Sequence, residues 1–425
     1  MSKKIQSLKG MDDWLPERSG LWQTIERHLR EIFIEYNYKE IRPNLLESTR
    51  LFNRSIGEVT DIVEKEMYTF IDKDGESVTL RPEGTAGIVR AGIEHGLFYH
   101  QIQKLWHIGP MFRHEKKQLG RYRQFHQADV EVFGVEGPEI DAEILAMTYR
   151  LWQRLGLADV IALELNSMGE AESRQAHKAA LLAYFDEHKE LLDEDSIRRL
   201  STNPLRILDS KNPAMISMLE NAPTLIDYLD ESSKDHFDGV CKRLDALNIP
   251  YTINHRIVRG MDYYTRTVFE WVTTKLGSQG TICGGGRYDG MVESLGGHKT
   301  PAIGFGLGIE RLMLLYEACQ LPIDNISPHI YLVSLGEQAE IEGLKITEQL
   351  RSQIPNLRLM QNIGAGKMKA QMKRADDCGA GFALIIGENE LIAQEYTLKE
   401  LRKEGLQSTL SSVDLITYLK AALVI

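Results

Sequence analysis

The chain has 425 residues, 43% hydrophobic and 26% charged, with a formal net charge of −11. Such a chain is a soluble globular protein of two or three domains, and its acidity excludes indiscriminate coating of nucleic acid. No apolar run approaches bilayer length and the start, MSKKIQSLKG, lacks an apolar signal core, so no membrane association and a cytoplasmic location are expected.

Leu21, Trp22, Ile25, Leu29, Ile32, Phe33 and Tyr36 recur at helical spacing and predict an amphipathic helix from about 21 to 36. KEIRP reads as a strand, and MYTFID and ESVTLRP flank Lys73-Asp74-Gly75 as a hairpin. Residues 106–112 and 124–133 form a second hairpin around FRHEKKQLGRYR, which holds five basic residues and one acid. A helix is predicted over 141–155. Residues 170–250 are mostly helical and acidic, with 16 Asp and Glu against 10 Lys and Arg between 169 and 250. Strands resume at ALNIPYTINHRIVRG and TRTVFEWV, followed by the glycine-dense CGGGRYDG and a strand-to-helix unit, AIGFGLGIERLMLLYEAC. Hairpins with helices between them predict an α+β fold, a mostly antiparallel sheet interrupted by a helical insertion. LPIDNISPH reads as a linker, and beyond it strand alternates with helix, as in a small α/β domain. The expected boundaries are 1–169 and 251–325 for the two parts of the main domain, 170–250 for the insertion and 330–425 for the last domain.

In the strand 124–133 the side chains alternate, so Phe125, Gln127, Asp129 and Glu131 share one face. That face is either solvated or a site; Arg113 on the adjoining strand favours a substrate with both cationic and anionic groups. The basic turn with Lys116, Lys117, Arg121 and Arg123 is either solvated surface or an attractor of phosphates. Gly304, Gly306 and Gly308 share a strand face, either as a floor for a planar group or for close helix packing, and Arg311 follows. Neither the dinucleotide fingerprint nor the phosphate-loop pattern is satisfied. CGGGRYDG either admits a ligand or makes a tight turn. Tyr263 and Tyr264 are expected to face opposite ways, and Glu83 and Thr85 follow a strand. The four cysteines, Cys241, Cys283, Cys319 and Cys378, stand far apart with no zinc or disulfide spacing.

Taken together these segments resemble the class II aminoacyl-tRNA synthetases. IRPNLLESTRLFNRSIGE is similar to their motif 1, FRHE with Arg121 and Phe125 to motif 2, and GFGLGIERL to motif 3. RGMDYYT and GGGRYDG resemble two signature peptides of the histidine–tRNA ligase family. The resemblance implies an antiparallel sheet with flanking helices, a helical insertion, a C-terminal α/β anticodon-binding domain and a homodimer. It implies ATP-dependent attachment of L-histidine to tRNA(His), with Mg2+ and without zinc. Arg113, Arg259 and Arg311 would be catalytic. Glu83, Gly84, Thr85, Arg113, Gln127, Glu131, Arg259, Tyr263, Tyr264 and Tyr288 would bind histidine, and Arg113, Glu115, Arg121, Phe125, Gly306 and Arg311 would bind ATP. Lys116, Lys117, Gln118 and Arg123 would meet the acceptor end of tRNA.

Overall fold

The computed structural model describes the chain except at positions 1–3, 58, 59, 61, 209, 211, 258–260, 262, 278, 279, 365, 404, 405, 424 and 425. Two compact units divide it, Met1–Ile323 and Asp324–Ile425.

The first unit opens with α1 (Pro16–Glu35), whose Leu21, Ile25, Leu29, Ile32 and Phe33 are buried as the spacing predicts. There follow β1 (Lys39–Glu40), β2 (Leu46–Ser48), α2 (Thr49–Ile56), the hairpin β3 (Tyr68–Ile71) and β4 (Ser77–Leu80), and α3 (Thr85–Glu94). The second hairpin is β5 (Gln103–Phe112) and β6 (Gln124–Phe133), and α4 (Pro138–Arg154) and β7 (Ala162–Ser167) come after it. The helical stretch holds α5 (Ala171–Glu187), α6 (Glu194–Thr202), α7 (Ile216–Glu220) and α8 (Glu231–Ala246). The chain returns through β8 (Tyr251–Ile253), β9 (Thr265–Val272), β10 (Thr281–Arg287), α9 (Met291–Ser294), β11 (Ala302–Gly308) and α10 (Ile309–Ala318).

The main sheet runs β1-β5-β6-β11-β10-β9-β7-β8. Its interior pairs are antiparallel, and only the outer pairs, β1 with β5 and β7 with β8, are parallel. The helical stretch therefore leaves and re-enters the sheet at neighbouring strands. Leu181, Phe185, Ile207, Met215 and Leu219 make a small core within it, whereas Phe237, Val240 and Leu244 of α8 join the main core. α2 packs beside a separate sheet in the order β2-β4-β3.

Some local expectations need correcting. The strand in KEIRP is only two residues long, and that in ALNIPYTINHRIVRG is confined to Tyr251–Ile253. Leu244 is buried on α8, so helix persists to Ala246 before the chain turns at Asn248, whose φ is 53°. β7 was not expected at all. CGGGRYDG is mostly an interior strand, β10, and not a tight turn.

The second unit comprises β12 (Ile330–Ser334), α11 (Glu337–Gln353), β13 (Leu359–Gln361), α12 (Met368–Asp377), β14 (Phe382–Ile386), α13 (Glu388–Ala393), β15 (Tyr396–Glu400), β16 (Gln407–Leu410) and α14 (Ser412–Ala422). Its sheet runs β13-β12-β14-β15-β16, parallel among the first three strands and antiparallel beyond.

Candidate active site

The period-two pattern of β6 sorts its side chains to opposite sides. Ala128, Val130 and Val132 enter the main core, while Phe125, Gln127, Asp129 and Glu131 line a cavity of about 650 Å³. β11 is the neighbour of β6, in a register that sets Gln127 against Gly308, Asp129 against Gly306 and Glu131 against Gly304. The glycines on that face leave room for the side chains of β6 as well as for a ligand. A Cβ at Gly304 would overlap the Glu131 carboxylate, and one at Gly306 would come within 2.9 Å of Gln127.

At one end of the cavity the carboxylates are tied to fixed donors. Glu83 accepts from the backbone N–H groups of Thr85 and Ala86, both at 2.8 Å, at the start of α3. Thr85 Oγ1 donates to Glu131 Oε1 at 2.6 Å, and the Tyr288 hydroxyl donates to Oε2 of the same group. Burial pushes Glu131 well above the usual carboxylate range, against the bonds from Thr85 and Tyr288, and burial also raises Glu83. Tyr263 and Tyr264 both line the cavity, with ring centres 4.7 Å apart. The expected opposition of these two rings fails because they precede β9, where the backbone does not alternate.

Arginines line the same cavity. Arg113 donates from Nε to the Pro82 carbonyl at 2.8 Å, and its guanidinium lies 5.3 Å from the centre of the Phe125 ring. Arg311 opens α10, where it donates to the carbonyls of Gly120 at 3.1 Å and Thr281 at 2.9 Å. Burial lowers the proton affinity of Arg311, and the positive charges of Arg121 and Arg113 lower it further. Arg121 pairs with Glu115 at 2.9 Å. A cluster of like charges held by carbonyls is prepared for a polyanion. The turn that carries it pivots on Gly120, whose φ of 70° favours glycine.

Thus Glu83, Thr85, Arg113, Glu115, Arg121, Phe125, Gln127, Glu131, Tyr263, Tyr264, Tyr288, Gly306 and Arg311 share one cavity. Gly84 adjoins it through Asp129. Arg259 lies outside the described residues. Lys116, Lys117, Gln118 and Arg123 are not brought to the cavity wall. The side chains of Lys116, Lys117 and Gln118 are exposed; Lys117 pairs with Asp12 at 2.7 Å, and Gln118 bridges to Arg121. Arg123 is half-buried, its N–H donating to the Gly10 carbonyl at 2.7 Å and its Nε to that of Glu115 at 3.3 Å. Glu270 and Thr281, bonded at 3.0 Å, also line the cavity and were not foreseen. Glu270 alternates inward on β9, a signal hidden by the apolar residues around it.

A carboxylate-lined pocket leading to arginines over a glycine floor, on an antiparallel sheet, defines a class II aminoacyl-tRNA synthetase. The family model for histidyl-tRNA synthetase matches residues 10–312, and that for an anticodon binding domain matches 329–422. The apo histidyl-tRNA synthetase of S. aureus is 39% identical, with a TM-score of 0.81 over 98% of this chain and 100% of that one. The histidyl-tRNA synthetase of Nostoc, at 20% identity and TM-score 0.73, covers 99% and 100%. A Bacillus halodurans protein described as an ATP phosphoribosyltransferase regulatory subunit/histidyl-tRNA synthetase, at 22% and 0.63, covers 88% and 97%. The latter two share the fold. The chain belongs to the histidyl-tRNA synthetase family. Its reaction is that of the family, the ATP-dependent attachment of histidine to tRNA through an adenylate, and its second unit is an anticodon-binding domain.

Proposed function

We propose that the cavity divides into an amino-acid end and a nucleotide end, with the reacting atoms between them. Glu83, Gly84, Thr85 and Gln127 would receive the ammonium group of L-histidine. Glu131, Tyr263, Tyr264 and Tyr288 would hold its imidazole. Glu115 would meet the edge of adenine, Phe125 its face, and Gly306 the floor beneath it. Arg121 and Arg311 would hold the outer phosphates of ATP. Arg113 would hold the α-phosphate together with the substrate carboxylate, and Arg259 is assigned to that phosphate on family resemblance alone.

In the first step the histidine carboxylate attacks the α-phosphorus in line and pyrophosphate leaves. Negative charge grows on the α-phosphate oxygens, where a guanidinium already fixed by a carbonyl and a ring needs no reorganisation to stabilise it. Holding both reactants on Arg113 also aligns them. Magnesium would arrive with the β and γ oxygens as MgATP. Among the described residues no group of three or more His, Cys, Asp or Glu side chains is placed to hold a metal ion. In the second step the 3′-terminal hydroxyl of tRNA(His) attacks the adenylate and AMP leaves. Either Glu83 or the adenylate's own phosphate oxygen would take the proton.

Lys116, Lys117, Gln118 and Arg123 would approach the acceptor end of the tRNA, where basic side chains attract phosphate. A homodimer is supported by Leu46, Phe70 and Ile71, apolar yet exposed on the small sheet. Residues 170–250 would form an insertion between the two parts of the catalytic domain. Among the described residues no helix is long and apolar enough to cross a membrane, and a cytoplasmic location is proposed.

The observation that carries this reading is the presence in one cavity of Arg113 and of Glu131, itself bonded to Thr85 and Tyr288. Pyrophosphate exchange into ATP, run without tRNA and with each amino acid in turn, tests it. Histidine alone should support exchange, because buried polar partners reject analogues by about 10⁴ or more. Exchange with a different amino acid, or with none, overturns the assignment.

A further inference from the structure

None of these roles uses the carboxylate that β6 sets between Gln127 and Glu131. Asp129 is 3% exposed and lines the cavity. Its Oδ2 has no hydrogen-bond partner among the described residues, and neither has Oε1 of Gln127. Buried acceptors lacking donors are uncommon and costly. Two on one strand face, in one cavity, are placed to meet donors of a ligand. The Asp129 carboxylate fits between two glycines: a Cβ at Gly84 would collide with Oδ2, and one at Gly306 would come within 3.2 Å of Oδ1. Glu83 and Arg113 lie near it inside the cavity, Arg81 is close by, Glu131 shares its face, and His107 is its partner on β5.

We infer that Asp129 is a further binding group for the ammonium of the substrate amino acid, added to the cradle of Glu83, Gly84, Thr85 and Gln127. This rests on the reading of the cavity as the histidine site. Electrostatics add a proton to it. Burial, then the charge of Glu83, push Asp129 up to about 8, against the pull of Arg81 and Arg113. At neutral pH the empty site therefore holds this carboxyl protonated beside Glu83. An entering ammonium favours the ionised form. The O–H proton of Asp129 then leaves for bulk water as the N–H···O bond forms. Below about pH 8 histidine binding releases this proton and gains strength as pH rises.

The test is Asp129→Asn in the full chain, assayed by pyrophosphate exchange between pH 6 and 8.5. The Michaelis constant for histidine should rise about tenfold or more, as expected for losing a charged hydrogen bond, while that for ATP holds. The advantage of the native protein should widen with rising pH. Imidazolepropionate, which lacks only the ammonium, should inhibit both proteins equally. Calorimetry of histidine binding to the native chain, in two buffers of different ionisation enthalpy, should read release of the proton without any variant. An unchanged histidine constant, equal weakening of imidazolepropionate, or no proton release overturns the inference. A native chain with no histidine-dependent exchange instead overturns the reading of the cavity.

Discussion

Glu131 on β6 and Gly304 on β11 are direct sheet partners, and the carboxylate fills the space that a side chain at 304 would need. A Cβ there would overlap both Glu131 Oε2 and the Val130 carbonyl, and the second is backbone that cannot swing aside. Gly304→Ala is therefore expected to pull Glu131 away from Thr85 and Tyr288. Urea unfolding should register a loss of about 1–3 kcal/mol, and exchange kinetics a higher Michaelis constant for histidine. A variant indistinguishable from the parent in both assays would mean that the strands yield.

Glu131→Ala separates the two ends of the cavity. It leaves the hydroxyls of Thr85 and Tyr288 without their acceptor and, among the bonds of Glu131 to described residues, touches no arginine directly. The Michaelis constant for histidine should rise roughly 10- to 100-fold, while that for ATP stays within about twofold. A larger rise for ATP would contradict the division proposed.

Acid stability should depend on His107. Its ring is buried beside Arg81, and burial, then that charge, lower it from 6.5 to about 4. The unfolded chain thus takes up a proton that the folded one refuses. The resulting stability is complete above about pH 6.5 and is lost as pH falls toward 4, up to about 3 kcal/mol. In urea titrations over that range, His107→Asn should have the shallower dependence on pH; parallel curves would count against it.

Asp141 is fully buried against Arg287, with Oδ2 2.7 Å from Nη2, and His236 of α8 meets its Oδ1 at 3.1 Å. Removing one partner strands a buried charge, so Asp141→Ala should cost about 3–5 kcal/mol. The double variant Asp141→Leu/Arg287→Met should recover much of that loss. Equal destabilisation by the single and double changes would show that shape, not charge, governs this contact. Arg287 immediately precedes Tyr288, so the single variant should also weaken histidine binding.

The basic turn should matter to tRNA alone. Lys116 is exposed and Lys117 already pairs with Asp12, so Lys116→Glu is the cleaner change. It should reduce charging of tRNA increasingly as salt is lowered, and flatten the salt dependence by about one phosphate contact, with exchange unaffected. Equal charging across a salt series would remove the turn from the tRNA path.

The strand that builds the site is legible in the sequence because alternation alone puts Phe125, Gln127, Asp129 and Glu131 on one side. The glycine row of β11 is legible for the same reason. What that row serves is not, because its register against β6 depends on residues more than 170 positions apart. Asp129 stands in the legible row, but its unsatisfied oxygen emerges only when Gly84 and Gly306 close around it. The Asp141–Arg287 pair spans 146 positions and joins two elements that each look ordinary. Tyr263 and Tyr264 mislead because they stand just ahead of β9, where side chains need not alternate.

The seam where β10 meets β11 sets Gly284 against Gly306 and Gly286 against Gly304. Two adjoining ribbons thus give up much of the packing that usually holds a sheet's middle together. Efforts to make this molecule withstand heat should therefore target the surrounding helices and leave the seam unfilled, since a methyl at Gly304 or Gly306 would run into β6 and one at Gly286 into β9.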